Sequence, residues 1–122
     1  MGRLLDIGYF KKTIKERVKY AKERTVINKM YAWNLDKEYY DGKRINGYGG
    51  FKYDGRWKAL LPKIIKKYKL TKKSKVLDLG CKKGFLLKDL NILIPGIKSF
   101  GIENHSYALN KAVKCKSKLI LS

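Results

Sequence analysis

The sequence predicts an α/β fold: the first two to three strands of an open, doubly wound parallel sheet, preceded by a helical N-terminal extension. Three observations lead there. Two short apolar runs, Lys75-Val76-Leu77-Asp78-Leu79 and Ile97 to Ile102, flank a segment whose apolar residues fall at helical spacing. A glycine turn, Gly80-Cys81-Lys82-Lys83-Gly84, joins the first run to that segment, giving the strand, turn and helix order of a parallel crossover. Upstream, apolar residues between positions 9 and 31 recur at roughly helical intervals among lysines, with no glycine or proline between them.

From the N-terminus, Phe10, Ile14, Val18, Ala21 and Ile27 predict one amphipathic helix from Tyr9 to about Tyr31. It reads as a helix packed on the domain or a partner, because its apolar residues are too scattered for a membrane-surface face. Trp33, Leu35, Tyr39 and Tyr40 lead into Asp41-Gly42, a turn signal. Residues 46–57 then interleave four glycines with the rings of Tyr48, Phe51, Tyr53 and Trp57. Such a segment either bends over a ligand and covers a cationic group with its rings, or connects two elements while its rings fill the edge of a core.

Trp57, Leu60, Leu61, Ile64, Ile65 and Tyr68 repeat at i, i+3, i+4, i+7, i+8 and i+11, the stripe of a helix lying on a sheet. Pro62 is tolerated only in the first turn, so the regular helix begins near Leu60 or Leu61. Residues 70–74 return the chain to the first strand, which is expected to be buried on both faces. The helix over 85–93 carries Leu86, Leu90 and Leu93 and stops at Pro95-Gly96. The second strand ends at Glu103, Ser106 is the expected N-cap of a helix over 107–116, and Lys118-Leu119-Ile120 begins a third strand. Residues 1–45 thus read as a basic helical extension, and 46–122 as an α/β unit that ends on the beginning of a third strand.

A strand that feeds a helix through a glycine turn leaves backbone N–H groups at the helix start, and glycines at 80 and 84 let a ligand approach. An acidic side chain about 20 residues later, at the end of the next parallel strand, can accept both hydroxyls of a ribose. Glu103 has that place. The dinucleotide fingerprint G-x-G-x-x-G is broken by Lys82 and Phe85, which argues against a nicotinamide oxidoreductase, and the Gly-Lys-Ser/Thr of a P-loop is absent. His105 is the only histidine and has no Cys or carboxylate cluster beside it, so no metal site is expected.

The remaining pattern, Val76-Leu77-Asp78-Leu79-Gly80-Cys81-x-x-Gly84-Phe85-Leu86, resembles the first motif of class I methyltransferases dependent on S-adenosyl-L-methionine. Gly101-Ile102-Glu103 followed by Ser106-Tyr107-Ala108-Leu109 resembles their second motif, and Tyr48-Gly49-Gly50-Phe51-Lys52-Tyr53-Asp54-Gly55-Arg56-Trp57 resembles a segment preceding the first motif in a bacterial subgroup. Several of that subgroup are associated with sugar and cell-envelope biosynthesis. The resemblance covers roughly Tyr39 to Leu109 and implies a Rossmann-like domain that binds S-adenosyl-L-methionine and methylates an acceptor: a sugar, an envelope precursor, a small metabolite or RNA. It implies a larger sheet than this length supplies, so 46–122 is expected to be the N-terminal half of a cofactor-binding domain that continues beyond Ser122. It implies cofactor contacts at Asp78, Gly80, Cys81, Gly84, Glu103 and Asn104, with His105 beside Asn104, and the attraction of a sulfonium to aromatic faces adds Tyr48, Phe51, Tyr53 or Trp57 as a cover, of which Tyr53 is the candidate contact. Lys82 stands where the family has its middle glycine. No residue qualifies as a general base, and the acceptor half of the family's fold lies after the fourth strand, so the catalytic residues are unknown.

Lysine and arginine number 30 against 10 acidic residues, a net charge of +20. This suits a basic RNA-binding module, the second reading, because clustered cations displace the counterions of phosphate. Against it, only five of the basic residues are arginine, whose fork recognises phosphate and bases in two-point fashion, and the lysines are spread through almost every segment. Two cysteines, Cys81 and Cys115, cannot make a disulfide framework, and no apolar run approaches the ~20 residues needed to span a bilayer. The chain reads as cytoplasmic.

Overall fold

The computed structural model describes residues 5–6 and 14–122. The chain divides into two compact units, one within Phe10–Lys52 and one from Tyr53 to Ser122.

The first unit is helical, with α1 (Ile14–Glu23), α2 (Val26–Asn34) and α3 (Lys37–Asp41). The single helix expected over 9–31 is two helices; Tyr9 and Phe10 lie outside the described residues. The break has a local cause. Thr25 adopts an extended backbone, its hydroxyl accepts from the N–H of Asn28, and Asn28 Oδ1 accepts from the N–H of Thr25 at 2.9 Å. This reciprocal capping starts a new helix where periodicity alone runs on. Asp36 caps α3 by accepting from Glu38 N at 3.0 Å.

The glycine-rich stretch after α3 folds back on it. Tyr48 N donates to Tyr39 O, and the N–H groups of Gly50 and Phe51 donate to Tyr40 O. Tyr40 is fully buried, its ring stacked with Tyr48 and tilted against Phe51, while Tyr39 meets Tyr40 and Tyr48 edge-on. The rings of Tyr48 and Phe51 therefore fill the core of the helical unit. Arg24 and Arg44 tie the loop down through the carbonyls of Ile45 and Gly47.

The second unit is the α/β layer. After a 3-10 turn at Arg56–Ala59 come α4 (Leu61–Tyr68), β1 (Lys75–Leu79), α5 (Phe85–Leu93), β2 (Lys98–Glu103), α6 (Ser106–Asn110) and β3 (Lys118–Leu121). The three strands are parallel in the order β1-β2-β3, with Asp78 opposite Gly101 and Leu79 opposite Ile102. Pro62 sits in the first turn of α4, where its missing N–H costs nothing. Leu61 of α4, Leu90 of α5 and Ile97 form the core, with Ile64, Ile65, Val76 and Leu86 packed around them.

Two expectations are corrected here. The first strand is not buried on both faces: α4 and α5 pack on the Val76 side, and Leu77 and Leu79, which point the other way, are 55% and 73% exposed. The helix expected over 107–116 ends at Asn110, and the chain then runs irregularly, with Val113 N donating to Lys83 O, before β3 begins.

Candidate functional site

The carboxyl end of β1, the following turn and the end of β2 meet in one place. Gly80 (φ 75°), Lys82 (φ 53°) and Gly84 (φ 75°) all lie in the left-handed region, so the turn needs at three positions the conformation glycine supplies most readily. Lys82 adopts it despite its Cβ, and its backbone N–H donates to Glu103 Oε2 at 2.7 Å. That bond offsets part of the ~1–2 kcal/mol cost of the conformation.

Glu103 has a structural task that the sequence did not reveal. It is 4% exposed, and besides the Lys82 bond its Oε1 accepts from Asn104 N at 2.9 Å and His105 N at 3.1 Å. One carboxylate thus ties the glycine turn to the start of α6. The expected Ser106 cap is replaced: the helix begins at Ser106, with His105 in the cap position and Glu103 serving the N–H groups before it. A carboxylate offers about four lone pairs, three of which are used, so Glu103 retains one acceptor position on Oε2 rather than room for two hydroxyls.

The turn satisfies most of its own donors. Gly80 N and Cys81 N donate to Ile102 O, and Gly84 N donates to Cys81 O. The free N–H cradle expected here is therefore largely occupied by the protein itself. What remains is space at Gly80, where a Cβ would have nothing within 4 Å. Gly84 differs, since a Cβ there would stand 3.3 Å from Leu119 Cδ1 of β3, so its glycine serves packing.

Asp78 is half-buried beside this opening. Burial pushes its carboxyl above the ordinary range and the charge of Glu103 adds to the rise, against a smaller opposing pull from Lys82. Cys81 is buried, and its thiol is pushed up to about 11 by burial and by the charges of Asp78 and Glu103. A thiol so poised is a packing group rather than a nucleophile. Its sulfur fills the place of the missing Gly101 side chain: a Cβ on Gly101 would lie 2.6 Å from Cys81 Sγ and 2.8 Å from Leu87 Cδ1. Asn104 is exposed and His105 half-buried at the rim.

Tyr53 lies close to the turn, its ring edge-on to Phe85, the first residue of α5. Its hydroxyl donates to Asp89 Oδ1 at 2.5 Å, and Lys88 Nζ stands 4.4 Å from its ring centroid. The bond to Asp89, with burial and the Asp89 charge behind it, raises the phenol to about 12. Asp89 is fully buried and also accepts from Trp57 N at 3.1 Å, so one side chain of α5 anchors the segment leading into α4. Sequence reasoning passed over Asp89. The available signal was a carboxylate directly before Leu90 in a helix that carries six apolar residues in nine.

Among the described residues no group of three or more His, Cys, Asp or Glu side chains is placed to hold a metal ion, and no helix is long and apolar enough to cross a membrane. Comparison with protein-family models, with curated protein sequences and with solved structures finds no match to this chain.

Proposed function

We propose that this chain is the cofactor-binding half of a methyltransferase dependent on S-adenosyl-L-methionine. The observation that carries the reading is the pairing of an opening at Gly80 with two carboxylates, Asp78 and Glu103, at the carboxyl end of a parallel sheet. Ligands of open α/β sheets bind at that end. The mutual repulsion of the two acids is relieved by a ligand that brings positive charge, and this cofactor carries an ammonium and a sulfonium.

Bound there, the cofactor would supply an electrophilic methyl group. The chain's own residues would hold it: Gly80 admits it to the backbone, Asp78 faces its cationic amino-acid end, Glu103 accepts a ribose hydroxyl on its remaining lone pair, and Asn104 and His105 border the base. Tyr53 acts through Phe85 and α5, as a brace for the turn. Methyl transfer depends on holding the nucleophile in line with the methyl group, so the lack of a general base here is compatible with it. The acceptor is a sugar, an envelope precursor, a small metabolite or RNA. Its binding half would belong to polypeptide that pairs with the edge of β1 away from β2.

Titration calorimetry tests this with S-adenosyl-L-methionine, adenosylhomocysteine, NAD and a short RNA at two salt concentrations. Selective binding of the first two, tighter for the sulfonium and weakened by Asp78→Asn and Gly80→Ala in folded protein, is the expected result. Binding of RNA alone, lost at high salt, overturns it in favour of a basic module.

A further inference from the structure

The break at Thr25 leaves a surface that the helical unit does not use. Within α2 no residue is buried. Val26, Ile27, Met30 and Trp33 are 73%, 62%, 57% and 84% exposed, and Tyr31 is 37% exposed. Val26, Met30 and Trp33 stand at i, i+4 and i+7, one line along the helix, with Ile27 and Tyr31 widening it to one side. The opposite side holds the unit together, through Asn28 Nδ2 donating to Asn46 Oδ1 at 2.8 Å.

We propose that this outward face of α2 seats on the surface of an anionic lipid bilayer as a peripheral contact. The surrounding charge argues for it. Residues 10–52 carry twelve lysines and arginines against five carboxylates, and α2 itself has no acidic residue. Lys22, Lys29 and Lys37 are exposed at the end of α1, on α2 and at the start of α3. Of the nearby carboxylates, Asp36 and Asp41 accept from the backbone N–H groups of Glu38 and Phe51, and Glu38 accepts from Asn46. An apolar strip tipped by a tryptophan and bordered by lysines is the composition that lies in the headgroup layer.

Other occupants fit less well. Nucleic acid would use the ring of Trp33 for stacking but gains nothing from Val26, Ile27 and Met30, which leave water only by entering an apolar phase. A second copy would bring the same positive charge to the same place.

The test is co-sedimentation of the full chain with vesicles of phosphatidylcholine alone and of phosphatidylcholine with phosphatidylglycerol, with quenching of tryptophan emission by brominated acyl chains. The expected result is binding to the anionic vesicles only, with quenching, and a loss of about tenfold or more in partitioning for Met30→Ser/Trp33→Ser, whose far-UV spectrum stays unchanged. No binding to anionic vesicles overturns the proposal. So does equal binding and no quenching in both proteins, which marks plain charge attraction, and so does loss of short-RNA binding in the variant while vesicles are ignored. Cofactor binding plays no part in this readout, so either proposal can fail without the other.

Discussion

The Tyr53–Asp89 contact offers the most direct check on how the α/β unit is held. Asp89 is fully buried in α5 and accepts from the Tyr53 hydroxyl at 2.5 Å and from Trp57 N at 3.1 Å. Tyr53→Phe keeps the ring against Phe85 and removes only the donor. It leaves a buried carboxylate oxygen short of a partner, a loss of about 1–3 kcal/mol. Asp89→Asn keeps the shape but sets an amide NH2 group against one of two donors, for a similar loss. In the double variant the missing bond is counted once, so its loss should fall short of the sum by about 1–2 kcal/mol. Urea unfolding followed by far-UV circular dichroism measures all four proteins. Each kcal/mol also moves the thermal midpoint by about 4–8 °C in a unit of this size. Losses that add to within about 0.3–0.5 kcal/mol would show that the two side chains do not interact, and the anchoring of Tyr53 by Asp89 would fall with them.

Four further outcomes follow from the same geometry. The Tyr53 phenol, raised to about 12, contributes stability that is whole below its ordinary value near 10 and is lost as pH rises through 12. Absorbance titration near 295 nm should show one late tyrosine that moves earlier in Asp89→Asn. Asp78, raised by burial and by Glu103, favours folding when protonated, so its contribution is present below the ordinary aspartate value and lost as pH rises through the raised one. Asp78→Asn should therefore stabilise the protein at pH 7 and leave it unchanged in strong acid, as followed by thermal midpoint. Gly101→Ala should destabilise by about 1–3 kcal/mol because its Cβ meets Cys81 and Leu87, and Cys81→Ala should recover part of that loss in chemical denaturation. Thr25→Ala should cost about 0.5–2 kcal/mol and loosen α2, seen as faster amide exchange at residues 26–28.

The elements legible in the sequence were those set by local signals. Pro62 fixed the start of α4, Pro95-Gly96 closed α5, and the run from Lys118 became β3. The split of the first helix and the roles of Glu103 and Asp89 were missed because they rest on a cap outside the usual pattern or on polar contacts between residues distant in sequence. Thr25 and Asn28 cap each other with asparagine in the place where glutamate or glutamine signals a box. Periodicity counts both as tolerable helix residues. Glu103 reaches back to Lys82 across 21 positions, and Asp89 to Tyr53 across 36. Burial of the first strand on both faces was inferred from its apolar composition, whereas burial depends on which elements cover each face. Here α4 and α5 both lie on the Val76 side.

The opposing demands on the acid pair also explain why composition alone could not locate the site. A fold selected only for stability would place an amide or an apolar residue at position 78, since a half-buried carboxylate beside Glu103 is held above its ordinary value by desolvation and like charge. Glu103 is occupied by accepting from the N–H groups of Lys82, Asn104 and His105. Asp78 carries the electrostatic strain, next to Gly80, the glycine of the turn where a Cβ would meet nothing within 4 Å. A cation arriving there would stabilise the ionised form of Asp78. Its binding should release protons near the raised value of Asp78 and should strengthen as pH rises through it. A binding constant independent of pH across that range would separate Asp78 from the ligand and leave Glu103 as a structural tie alone.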